Sequence, residues 1–212
     1  PGESISMKDS NNTRPSKGWI LAFHPDLICG TALGANIRDY TFFSYRPEEA
    51  LHISLREKQV ILELLDKINQ ELERCIDRHS KKIVSKYIEL LLDYCERFYE
   101  RQFITRNEAN KQIIGRFNRL LDHHFHTIQS QSADLPTIED CAGSLHLSPA
   151  YFNDLLEYET GKSFKEYLQF KRFETAKDWL INTDKPLNQI AQELGFRNAQ
   201  YFSRLFKKMT GW

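Results

Sequence analysis

The sequence lacks most of the features that mark an enzyme, a secreted protein or a membrane protein. Its four cysteines, Cys29, Cys75, Cys95 and Cys141, stand far apart and outside any paired motif. A disulfide framework is thereby excluded, and buried free thiols among apolar neighbours are expected, as in a reducing cytosol. The nine glycines build no phosphate-cradling loop and no nucleophile elbow. No metal-ligand set and no paired carboxylates stand in for them, so neither catalysis nor a cofactor is expected. His123, His124 and His126 cluster, but adjacent helical positions face apart and no Cys or carboxylate at ligand spacing completes a metal site. No apolar run approaches the roughly 20 residues that span a bilayer. Residues 1–17 are polar, without the apolar stretch of a signal peptide. Residues 1–18 read as a flexible tail, or as the place where a longer protein has been cut.

Net charge is also missing: 29 Lys and Arg balance 29 Asp and Glu. That leaves nucleic acid open as a partner, because phosphate binding needs a local basic face and not a basic chain. What the chain does have is 41% hydrophobic residues, enough for a real core. Residues 19–55 carry two short β-prone runs, 19–23 and 40–45, separated by Pro25, Gly30 and Gly34. Too few to close a sheet, they read as the remnant of a β-containing domain. From Ser54, with Glu57 as its capping-box partner, the spacing turns helical through Val60, Ile61, Leu64, Leu65, Ile68, Leu72 and Ile76. A second stripe starts near Ser80 and runs through Ile83, Val84, Tyr87, Ile88, Leu91, Leu92, Cys95 and Phe98. Two such helices pack as an antiparallel hairpin, whose apolar faces serve either as a core or, through Leu91 and Leu92, as a dimer seam. Thr105 and Glu108 open a third helix, which gives way to a polar linker at 129–134.

The last eighty residues contain an internal repeat. Ile138, Cys141, Ala142, Leu145 and Leu147 recur 49 residues later as Leu187, Ile190, Ala191, Leu194 and Phe196. Tyr151, Phe152, Leu155, Leu156, Thr160 and Gly161 recur 50 residues later as Tyr201, Phe202, Leu205, Phe206, Thr210 and Gly211. Each copy is a short helix with a small residue, a tight turn, and a second helix with its own cap (Ser148 before Pro149, or Asn198). That is the helix-turn-helix pattern. Between the copies, Ser163 and Glu166 cap a longer helix to about residue 181.

Residues 134–211 resemble the DNA-binding domain of the AraC/XylS family of bacterial transcription regulators. The most specific stretch is 190–211, Ile-Ala-Gln-Glu-Leu-Gly-Phe-Arg-Asn-Ala-Gln-Tyr-Phe-Ser-Arg-Leu-Phe-Lys-Lys-Met-Thr-Gly; 147–156 is a looser match. The expected fold is therefore mainly α: two helix-turn-helix subdomains, 137–161 and 186–211, joined by a linker helix. A helical hairpin and a short remnant of a β-containing, cupin-like domain precede them. The division runs 1–18 tail, 19–104 end of an effector or dimerisation domain, 105–133 connecting helix and linker, and 134–212 DNA-binding domain. The resemblance implies a cytoplasmic, nucleoid-associated homodimer that acts as an activator. Its partners would be double-stranded DNA, RNA polymerase and a small-molecule effector bound in a missing N-terminal part, since no motif in 1–104 marks a ligand site.

If the second helix of each unit enters a major groove, side chains facing away from the core meet the bases. In the second unit Tyr201, Phe202, Leu205 and Phe206 are the expected core, leaving Asn198, Gln200, Ser203 and Arg204 to read. By the resemblance, Gln200 and Arg204 match base-contacting positions; Arg204 suits guanine and Gln200 suits adenine. Arg197, Lys207 and Lys208 are phosphate candidates, and 197–208 holds four basic residues and no acidic one. The first unit departs from this, with Asp154 where Arg204 stands in the second, and Glu157 and Glu159 beyond it. Two readings stay open: Ala150, Asn153 and Asp154 form a small base-reading surface, or this unit docks weakly, faces the polymerase or packs on the effector domain. The rival class is a helical protein–protein interaction module without DNA binding.

Overall fold

The computed structural model describes residues 18–127, 135–196 and 198–210, with backbone alone for 126, 127, 205 and 208–210. The expected tail up to residue 17 and the linker 129–134 lie outside the described residues. Among those described there are ten α-helices and no strand.

The upstream part opens with two single-turn helices, α1 (Pro25–Ile28) and α2 (Ala32–Asn36), and three 3-10 turns at Ile37–Asp39, Thr41–Ser44 and Pro47–Glu49. The expected β remnant is thus corrected: 19–23 has no regular structure, and most of 40–45 is a 3-10 turn. A strand needs a neighbour to satisfy its backbone groups, and the described residues contain none. Tyr40, Phe42 and Tyr45 instead pack their rings against helices, with Phe42 stacked 5.5 Å from Tyr99 and the Tyr40 hydroxyl donating to Asp93, while Phe43 stays exposed. Gly34 lets α1 and α2 approach, since a Cβ there would lie 2.1 Å from the Ile28 carbonyl oxygen.

Helix α3 (Leu55–Leu72) starts at the Ser54–Glu57 capping box: the Ser54 N–H donates to Glu57 Oε2 (2.7 Å) and the Glu57 N–H to Ser54 Oγ (3.3 Å). Helix α4 (Ser80–Thr105) runs back along it, so that Arg101 near its end meets Glu57 near the start of α3 at 2.6 Å. Leu64, Ile68, Val84, Ile88, Leu91 and Leu92 bury their side chains between the two helices and against Ile28 and Leu33. Leu91 and Leu92 are therefore core of this chain and not a dimer seam. Helix α3 stops before Cys75 and Ile76, and leaves both exposed. Thr105, expected to open the next helix, is the last residue of α4, where its hydroxyl donates to the Gln102 carbonyl.

Helix α5 (Asn107–Thr127) buries Phe117, Leu121 and Phe125 in one core with the helices that follow. These are α6 (Ile138–Ser144), α7 (Pro149–Thr160), α8 (Phe164–Asn182), α9 (Leu187–Glu193) and α10 (Ala199–Thr210). The repeat is reproduced bond for bond at the two turns. The Leu147 N–H donates to the Ala142 carbonyl (2.9 Å) and the Phe196 N–H to the Ala191 carbonyl (2.8 Å). Both turns need a left-handed residue. The second has Gly195 at φ +72°, and the first forces His146 to φ +60°.

Two expectations follow. His146→Gly removes a left-handed strain of about 1–2 kcal/mol against a glycine entropy cost of roughly 0.5–1 kcal/mol. Urea denaturation should therefore show unchanged or higher stability; a clear loss would assign the imidazole a stabilising contact. The second concerns the thiols. Cys29 and Cys75 are exposed, whereas burial pushes the Cys95 and Cys141 thiols up to about 11. Of the four thiols expected to be buried, two should react rapidly with a thiol reagent near pH 8 and two slowly; four equal rates would contradict the packing.

Candidate nucleic-acid interface

In the second unit the candidate reading face is exposed. Phe202 is fully buried, ringed by Phe173, Phe196 and Phe206, while Gln200, Ser203, Arg204 and Lys207 are exposed. Asn198 is exposed too, but its side-chain oxygen accepts the Gln200 N–H at 2.7 Å, so it acts as the helix cap. Tyr201, expected in the core, is 60% exposed and lies on the same candidate face. Its phenol ring and hydroxyl could both meet DNA, and apolar spacing alone concealed this. Arg197 and the Lys208 side chain lie outside the described residues, as does the side chain of Leu205.

In the first unit the equivalent face is covered by the upstream part. Tyr151, the counterpart of Tyr201, is only 4% exposed. The rings of Tyr45 and Phe103 lie 5.1 Å and 5.4 Å from it. Asp154, the counterpart of Arg204, accepts hydrogen bonds from the hydroxyls of Thr41 and Tyr45 (the latter at 2.6 Å). Burial and the Asp154 carboxylate together push the Tyr45 phenol far above its ordinary range, so it remains a donor. The start of α7 is held as well. The buried Glu49 carboxylate accepts the Ser148 N–H (2.7 Å) and the Ser148 hydroxyl, while Ser148 caps the helix by accepting the Tyr151 N–H. Asn110 bridges α5 to Glu159 at 3.2 Å. Asn153, a further reading candidate, accepts the Phe164 N–H at 3.1 Å, and Ala150 is half-buried. Of the three candidates in this unit, Asp154 and Asn153 thus already have protein partners.

Arg172 on α8 is a structural residue that periodicity did not reveal. It is 7% exposed, its Nε donates to the Leu194 carbonyl (2.8 Å), and its guanidinium lies 3.7 Å over the Phe196 ring. Burial lowers its pKa to about 10. It pins the turn of the second unit to the linker helix. Among the described residues no group of three or more His, Cys, Asp or Glu could hold a metal ion, and no helix is long and apolar enough to cross a membrane.

Comparison with known proteins agrees with this geometry. The family model described as "Helix-turn-helix domain" matches residues 141–212. The chain is 31% identical over 118 residues to the uncharacterized HTH-type transcriptional regulator YtdP of Bacillus subtilis, covering 55% of this chain and 15% of that protein. It is 25% identical over 178 residues to the uncharacterized HTH-type transcriptional regulator YijO of Escherichia coli, covering 84% of this chain and 59% of that protein. Over 75 residues it is 40% identical to the bifunctional transcriptional activator/DNA repair enzyme AdaA of B. subtilis, 35% of this chain and 36% of that protein. No solved structure matches. The chain spans less than two thirds of the length of each of these relatives.

The class is thus a mainly α protein with a helix-turn-helix domain. More narrowly, residues 141–212 are similar to the helix-turn-helix domain of AraC-type transcription regulators.

The covered face can be tested directly. Tyr45→Phe removes a hydrogen bond to a carboxylate, of the kind worth about 1.5–3 kcal/mol. Urea denaturation of the variant should show a loss of that order, and unchanged stability would mean that Tyr45 does not hold Asp154 in solution.

Proposed function

We propose that this protein is a sequence-specific DNA-binding transcription regulator in which α10 is the principal reading helix. The observation that carries this reading is the contrast between the two copies of the repeat. The face of α10 is exposed and cationic through Arg204 and Lys207, whereas that of α7 is acidic and engaged by Thr41, Tyr45 and Glu49. Arg204 bonds guanine, Gln200 bonds adenine, and Asn198 and Ser203 border them. Lys207, with Arg197 and Lys208, contacts phosphates and sets register. The first unit docks weakly, or reads through Ala150, Asn153 and Asp154 only after the upstream part has moved away.

The finer features belong to the same reading. Residues 134–212 are the DNA-binding domain, 105–133 connect it, and 19–104 end an effector or dimerisation domain. The protein acts in the cytoplasm, on the nucleoid, as a homodimeric activator that contacts RNA polymerase, and it is not itself an enzyme. It responds to a small-molecule effector.

Arg204→Ala is the test. It should weaken specific duplex binding by about 1–3 kcal/mol and relax one base preference. Wild-type affinity should fall steeply with rising salt, as released counterions require. Binding insensitive to both the substitution and salt would favour the interaction-module reading.

A further inference from the structure

A concavity of about 520 Å³ lies where the start of α4 faces the turn between α1 and α2. Its size falls within the range of small-molecule sites. Arg78, Lys81, Lys82 and Lys86 converge on it, and Glu89 is the one acidic residue on its wall. Thr31 and Ser85 also line it; the buried Ser85 hydroxyl donates to Thr31 Oγ1 at 3.2 Å and the Thr31 hydroxyl to the Ile28 carbonyl at 2.6 Å, so the cations alone are left to bind an anion.

This concentration of charge is unfavourable without a ligand. Lys82 and Lys86 stand four residues apart on α4, and like charges so spaced repel along a helix; Arg78, just before the helix, adds a further cation to the same wall. Lys81 and Lys82 also stand in the first turn of a 26-residue helix, whose macrodipole is positive there and disfavours cations. Among the described residues no ion pair reaches any of the four; Arg78 donates only to the His79 ring, at 3.0 Å. Asp77, the nearby carboxylate, accepts the His79 and Ser80 N–H groups (2.7 and 2.9 Å) as a cap and is not part of the wall.

We propose that this concavity is a binding site for a small organic polyanion, its phosphate or carboxylate groups held by Lys81, Lys82, Lys86 and Arg78. A concave wall suits a compact anion better than a convex duplex backbone. The site is independent of the DNA-reading face: it is built from residues of α4 and the α1–α2 turn that take no part in the repeat.

The experiment is isothermal titration of the full chain with citrate and, separately, with inorganic phosphate, at ionic strength held constant with sodium chloride. Saturable binding of either anion at millimolar concentration or tighter is expected, and which one binds identifies the head group. Lys82→Gln/Lys86→Gln should weaken that binding at least tenfold with an unchanged far-ultraviolet circular dichroism spectrum. Arg78→Gln, outside the helix, should weaken it too and serves if the double variant misfolds. No saturable heat with either anion, or equal binding by the variants, overturns the proposal. So does loss of duplex affinity in these variants with no small anion present, which would assign the cations to the DNA backbone.

Discussion

The carboxylate of Glu49 lies inside the protein, 5% exposed, at the first turn of α7. A charge in such a place survives only when hydrogen bonds replace its water. Glu49 finds them in the Ser148 N–H and hydroxyl and in the Arg46 N–H (2.7 Å). Those partners bind the segment 46–49 to the beginning of α7. Once that end is fixed, Tyr45 and Thr41 fall on Asp154, and the rings of Tyr45 and Phe103 close over Tyr151. Removing the Glu49 carboxylate would leave two donors on Ser148 without their acceptor, so the seam should fail as a unit.

The internal repeat turns this seam into a controlled comparison. Two helices with the same apolar positions and the same turn geometry differ in what faces outward. Asp154 and a buried Tyr151 meet the upstream part; Arg204 and an exposed Tyr201 meet solvent. The acidic residues of α7, puzzling beside DNA phosphate, make sense as acceptors for hydroxyl donors within the chain. A basic α7 would have lacked acceptors for Tyr45 and Thr41. The same charge choice that lets the upstream part dock on the first unit thus weakens that unit's attraction to DNA.

Much of this was legible in the sequence, and the limits have physical causes. Helices α3 to α10 announced themselves because long amphipathic stripes and caps such as Ser54–Glu57 and Ser163–Glu166 are local signals. Residues 19–55 were misread because β propensity becomes strand only when a partner strand is present; these rings found helices instead. Cys75 and Ile76 continued an apolar spacing past the point where the helix ends. Tyr201 and Tyr151 occupy equivalent positions, so no local pattern could separate the exposed ring from the buried one. The difference is tertiary: it depends on Tyr45 and Phe103, roughly a hundred residues and fifty residues upstream of Tyr151. Arg172, on the linker helix, was hidden for the same reason, its partner being a carbonyl in the second helix-turn-helix unit.

The most direct measurement of the central claim is selection of binding sites by this chain from a random duplex library. With α7 engaged by the upstream part and α10 free, the recovered sites should share a single short element, and Arg204→Ala should alter its preferred bases. Recovery of two elements about one helical turn apart, the second changed by Asp154→Ala, would show α7 reading DNA alongside α10 and would contradict the account.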